Sequence, residues 1–234
     1  KIGGPELLIT ITDVHKLPNE VIIHKGKIEQ GEVKVGQSVR LAIDADRRQQ
    51  IACHHTATHL LHAALRKFVG EHVKQAGSLV APDRFRFDYS HFAGLEAEQL
   101  QRLETQIMAD VLKNLPVEIK HVSMPEALAA GAMALFDEKY GEQVRTVAVP
   151  GVSLELCGGA HVSQTGAIGM CKIISEGSVA AGIRRIEAVC GAAALNHIQA
   201  ESRELQAVGQ RLRAGRGEIL GKLDKLCQRQ RDLE

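Results

Sequence analysis

His55 and His59, four residues apart in the run HTATH, sit inside a long helical pattern. That spacing stacks two imidazoles one turn apart on one helix face, which is how a helix offers two nitrogens to one metal ion. No glutamate follows the first histidine, so the metalloprotease pattern HExxH is absent. His54 and His62 crowd the same helix, and spacing alone does not choose among the rings. Far downstream, Cys157 and His161 bracket a glycine pair in CGGAH, and glycine tolerates the tight turn that folds a thiolate and an imidazole back on one ion. Each pair is weak by itself, since a surface HxxxH or a buried cysteine beside a turn is common. Together they supply four ligands of the types zinc prefers.

The elements that must position these residues follow from the hydrophobic pattern, which predicts an α+β chain. Residues 7–11, 20–24 and 39–43 read as short strands connected through Gly26, Gly31 and Gly36, a partial antiparallel β-barrel over residues 1–46. Residues 47–68 carry the helical signal that holds HTATH, with apolar Ile51, Leu60, Leu61, Ala64, Leu65 and Phe68. Strand patterns return over 75–89, and an amphipathic helix over 94–115 stops at Pro116. A strand at 117–122 leads to a short helix from Met124 and Pro125 to about Gly131. Strands at 144–149 and 167–175 flank the CGGAH turn, and another covers 182–189, so that an α+β domain occupies residues 47–191.

The tail, residues 192–234, is helical and apolar at every seventh position: Ile198, Leu205, Leu212, Ile219, Leu226 and Leu233. Gly215 and Gly217 each cost roughly 1 kcal/mol against alanine in a helix interior. The pattern predicts a helix or helical hairpin broken near Gly215, with a seam through which chains could self-associate.

An apolar fraction of 44% supports a real core, built from Leu, Ile, Val and Ala because aromatics make up only 3% and tryptophan is absent. That scarcity excludes aromatic platforms as the main means of holding bases. A net charge of +1 argues against non-specific coating of nucleic acid and leaves room for a local basic groove. Five cysteines without CxxC pairs do not make a disulfide framework, so a reducing, cytoplasmic setting is expected, with Cys53, Cys171, Cys190 and Cys227 as packing or surface residues. No uncharged apolar run reaches the ~20 residues needed to span a bilayer, and no leader opens the chain, so no membrane partner is expected. The chain opens in a strand pattern and closes within a helical one. Both ends are therefore expected to be cuts in a longer sequence, leaving an unpaired strand edge near residues 7–11.

Five blocks make the pattern specific: HTATHLLHAAL at 55–65, HVKQAGSLV at 72–80, RFRFDYSH at 84–91, ELCGGAHV at 155–162 and GIRRIEA at 182–188. In identity and order they resemble alanyl-tRNA synthetases, and the resemblance spans nearly the whole chain. It implies a zinc-containing editing domain of the threonyl/alanyl-tRNA synthetase type, related to free-standing alanyl-tRNA editing proteins, in which His55, His59, Cys157 and His161 hold zinc. Two positions depart from the family pattern. The turn usually reads CGGTH where this chain has Ala160, and His54 stands where asparagine is common; neither is an implied ligand.

The implied reaction is hydrolysis of the ester joining serine or glycine to tRNA(Ala). A pocket for alanine cannot exclude the smaller glycine and discriminates only modestly against one added hydroxyl, so a second, hydrolytic site is the available remedy. Thr56, Thr58 and Gln75 are expected to hydrogen-bond the seryl hydroxyl and to be left unpaired when alanine enters. Arg84, Arg86, Arg184 and Arg185 are expected to meet tRNA phosphates, the first two from one strand face. The plainer readings are back-bonding within the helix for the threonines, a surface position for Gln75 and ordinary ion pairs for the arginines. Four protein ligands describe a closed site, so both a water-activating and a pocket-shaping zinc remain open. Alternatives are a free-standing deacylase and a zinc-stabilised tRNA-binding module without catalysis. No ATP-binding pattern occurs, and aminoacylation by this chain is not expected.

Overall fold

The computed structural model describes residues 1–4, 6–19, 21–133 and 142–233. The chain divides into two compact units, Lys1–Gln49 and Gln50–Glu234. In the first, β1 (Ile2–Gly4), β2 (Leu7–Lys16), β3 (Ile22–Gln30) and β4 (Arg40–Leu41) form one antiparallel sheet in the order β3, β2, β1, β4. The expected barrel remnant is thus a four-stranded sheet. β2 is paired with β1 over Leu7–Ile9 and with β3 from Leu8 onward, so the start of the expected free edge at residues 7–11 is interior, and the sheet's edge strands are β3 and β4. The neighbour that corrects this expectation is β1, too short to show a period of two. Of the strand expected at 20–24, Glu20 lies outside the described residues.

Helix α1 (Ala45–Phe68) starts where Asp44 Oδ1 accepts the Arg47 N–H at 2.9 Å. It is followed by β5 (Gln75–Val80), β6 (Phe85–Ser90), α2 (Ala97–Leu112), β7 (Glu118–Ser123), α3 (Met124–Ala129), β8 (Gln143–Val149) and β9 (Ser153–Leu156). Strands β10 (Cys171–Ala180) and β11 (Ile183–Cys190) then complete an antiparallel sheet in the order β10, β11, β6, β5, while β7, β8 and β9 make a second. The apolar stripe of α1 (Ala57, Leu60, Leu61, Ala64, Leu65) shares one buried core with Phe85 and Phe87 of β6, Ile186 and Ala188 of β11, and Leu103 and Ile107 of α2. Cys53, Cys171 and Cys190 are part of that core, and Cys227 is exposed.

Two boundaries differ from the sequence expectation. Helix α2 ends at Leu112 because Asn114 turns to φ 50°, before Pro116 is reached. Within 167–175 the strand begins only at Cys171; residues Thr165–Ile168 are a 3₁₀ turn, and Gly169 at φ 68° separates the two. The tail is a pair of helices, α4 (Gly191–Arg211) and α5 (Ile219–Arg231), with the break at Leu212 to Glu218. Ile219 folds back on α4 so closely that a Cβ at Gly209 would lie 3.3 Å from its Cδ1. The seven-residue row is therefore split between two helices, and Leu205, Leu226 and Leu233 are exposed. Among the described residues, no helix is long and apolar enough to cross a membrane.

The buried Thr165 ties the end of α2 to the 3₁₀ turn, donating to the Asp110 carbonyl at 2.8 Å and accepting the Leu115 N–H at 2.9 Å. Thr165→Val keeps the shape and strands that N–H. It should cost about 1–3 kcal/mol in urea unfolding; an unchanged midpoint would show that this link does not hold α2 in place.

Candidate metal centre

The four sequence-singled side chains meet. Helix α1 presents His55 and His59, the turn after β9 presents Cys157 and His161, and one ligand atom from each lies within 4.8 Å of all the others. Cys157 Sγ is 3.4 Å from His55 Nε2 and 3.3 Å from His161 Nε2. The turn approaches the helix so closely that a Cβ on Gly159 would fall 1.9 Å from His55 Cε1. It is anchored to β8 by two bonds: Arg145 Nη1 donates to the Cys157 carbonyl at 2.5 Å, and the Cys157 N–H donates to the Arg145 carbonyl at 3.0 Å.

The structure settles which rings are available. His54 is spent on the fold, with Nδ1 3.0 Å from the Gln50 carbonyl and Nε2 accepting the Cys190 N–H at 3.0 Å. His62 points Nδ1 at Glu155 Oε1, 3.1 Å away, and although its Nε2 is buried without a partner, the ring is not among the ligand groups that lie within 4.8 Å of one another. Burial lowers the pKa of His55, His59 and His161, the last to about 3, and for His59 and His161 the neighbouring imidazoles add to the effect. The rings are thus held neutral, as ligands must be. Burial pushes the Cys157 thiol up, and the Glu155 charge adds to this, against a hydrogen bond from Gly159 and the charge of Arg145.

A zinc ion fits this group. One thiol and three imidazoles form a donor set zinc takes in tetrahedral sites. His59 Nδ1 is moreover buried without a hydrogen-bond partner, a costly state for a polar atom unless it serves as a ligand.

The other expected site residues are placed differently. Thr56 lies at the cluster but behind it: its Oγ1 is 3.1 Å from His161 Nδ1 and accepts the Val162 N–H at 3.2 Å. Thr58, expected to face substrate, instead donates to the His54 carbonyl at 2.9 Å within its own helix. Gln75, at the start of β5, donates to Ser78 Oγ at 3.2 Å. Arg184 forms a two-bond pair with Glu176, and Arg185 a two-bond pair with Asp88 at 2.7 and 2.8 Å. Arg86 Nε lies 3.4 Å from Asp88 Oδ1, an ion pair without hydrogen-bond geometry, and Arg84 pairs with Asp83 at 3.0 Å on the surface. Sequence reasoning overlooked Arg145 and Glu155. The signal for Glu155 was present as a lone charge between Leu154 and Leu156 in a strand, which burial turns into a site residue.

Fold and site together define a class, an α+β domain with a three-histidine, one-cysteine group that could hold a metal ion. Residues 144–187 match the family described as "Threonyl and Alanyl tRNA synthetase second additional domain". The chain is 49% identical over 232 residues (99% of its length) to an alanine-tRNA ligase of Desulfosudis oleivorans. It is 47% identical over 234 residues to that of Xanthomonas campestris pv. campestris, and 46% identical over the same length to that of Xanthomonas oryzae pv. oryzae. The resemblance to alanyl-tRNA synthetases read from the five sequence blocks is borne out. The chain spans about a quarter (26%) of the length of these relatives.

The contact between turn and helix yields a direct test. Gly159→Ala places a methyl group where the His55 ring stands. Zinc affinity, read by competition with a chromophoric chelator, should fall at least tenfold, the scale of losses caused by displacing a ligand's supports. Unchanged affinity would show that His55 is not held by this turn.

Proposed function

We propose that this region hydrolyses wrongly charged tRNA(Ala), with the seryl and glycyl esters as substrates. The observation that carries the reading is the convergence of His55, His59, Cys157 and His161 in a chain that matches alanine-tRNA ligases along its length. When bound, zinc supplies a Lewis acid and a fixed positive charge beside the ester. The chain's own side chains do the rest. Thr56 fixes the His161 ring, leaving Nε2 toward the ion. Gln75 uses its amide N–H on Ser78, and its amide oxygen is assigned to the seryl hydroxyl that alanine lacks.

Water adds to the ester carbonyl carbon, the bond to the ribose oxygen breaks, and that oxygen leaves carrying a proton. With the three imidazoles committed as ligands, the adjacent ribose hydroxyl of the tRNA end is the group assigned to pass that proton. Of the four arginines, Arg84 is the best placed for a phosphate. Its side chain is 44% exposed, and its surface pair with Asp83 is of a kind worth little, so exchanging it for phosphate costs little. Loss of the threonine hydroxyl at position 160 leaves the backbone that faces the His55 ring in place, so Ala160 is compatible with this reading.

The test compares Ser-tRNA(Ala) with Ala-tRNA(Ala) on zinc-loaded protein. The seryl ester should be cleaved preferentially, with the preference lost in Cys157→Ala. Cleavage of neither ester above the uncatalysed rate would overturn the hydrolase and leave a zinc-stabilised tRNA-binding module.

A further inference from the structure

Glu155, 1% exposed on β9, places its carboxylate between two rings of α1. Oε2 is 3.5 Å from His59 Nε2, and Oε1 is 3.1 Å from His62 Nδ1. A buried carboxylate is costly unless its charge is answered. The two rings that face it, His59 and His62, are themselves buried. A divalent ion bound by one thiolate retains one net positive charge, and one carboxylate cancels it. Charge balance therefore ties Glu155 to the ion held by His55, His59, Cys157 and His161.

Geometry points the same way. His55 and His161 both turn Nε2 to the cysteine sulfur, and His161 rests its Nδ1 on Thr56. His59 is reversed: its Nε2 faces Glu155, and its Nδ1 is the buried atom without a partner. We propose that Glu155 is a positioning residue that accepts the His59 Nε2–H and thereby makes Nδ1 the ligand atom of that ring. His62 steadies the carboxylate through its second oxygen. The inference rests on the reading of the cluster as a zinc site but does not depend on catalysis. It gives a histidine outside the ligand set a role, and it predicts that the three ligand rings do not share one tautomer.

Two measurements with zinc alone as probe test it. Chelator competition on wild type, Glu155→Gln and Glu155→Asp should show one zinc in wild type and roughly 10–100-fold weaker binding in the glutamine variant. The aspartate variant, which keeps the charge, should recover part of that loss. Long-range ¹H–¹⁵N spectra of zinc-loaded wild type should show one ligand ring protonated on Nε2 and two on Nδ1. Equal zinc affinity in Glu155→Gln, or three ligand rings all protonated on Nδ1, would overturn the proposal. Failure of wild type to bind zinc at all would overturn the metal reading beneath it and would be seen before any variant is compared.

Discussion

Everything at the site depends on how closely the CGGAH turn approaches the face of α1. The backbone of Gly159 occupies space next to the His55 ring where no side chain could fit. Only then do a thiol and an imidazole from the turn reach two imidazoles of the helix. The turn cannot drift, because Arg145 and Cys157 are joined by a side-chain and a backbone bond. The helix cannot drift either, because its apolar stripe is locked into the core against β6 and β11. The two anchored bodies bring together ligands separated by most of the domain's sequence. An ion bound there would add a third constraint, and its binding energy would become part of the stability of the fold.

Much of this was legible in the sequence because the chemistry lies in short, regular patterns. The four-residue spacing of His55 and His59 needs only helix geometry to become a half-site, and the glycine pair between Cys157 and His161 needs only a tight turn. What spacing could not decide was which of the helix's four histidines are ligands. That depends on long-range partners: the Cys190 N–H that occupies His54 and the Glu155 carboxylate that faces His62. Spacing could not show where the Thr58 hydroxyl bonds either. Helical periodicity puts Thr58 over the His54 carbonyl, where back-bonding is the nearest satisfaction for a buried hydroxyl. The expected free edge at residues 7–11 is covered over Leu7–Ile9 by β1, a three-residue strand that carries too little pattern to be read.

The arginines serve the fold first. Asp88 is buried on β6 and is held ionised chiefly by its bonds to Arg185, with Arg86 adding charge. Opposite it in register stands Arg185 of β11, so the pair staples adjacent strands of the sheet that backs α1. Arg184 does the same for Glu176 of β10. These guanidinium groups position the sheet first, and Arg84, loosely paired on the surface, is left with the freedom to meet a phosphate.

The central claim is that one ion is held by these four side chains. Zinc K-edge X-ray absorption on the loaded protein reads it directly. One sulfur at about 2.3 Å and three nitrogens at about 2.0 Å are the expected shell. A shell of nitrogen and oxygen alone, without sulfur, would contradict it.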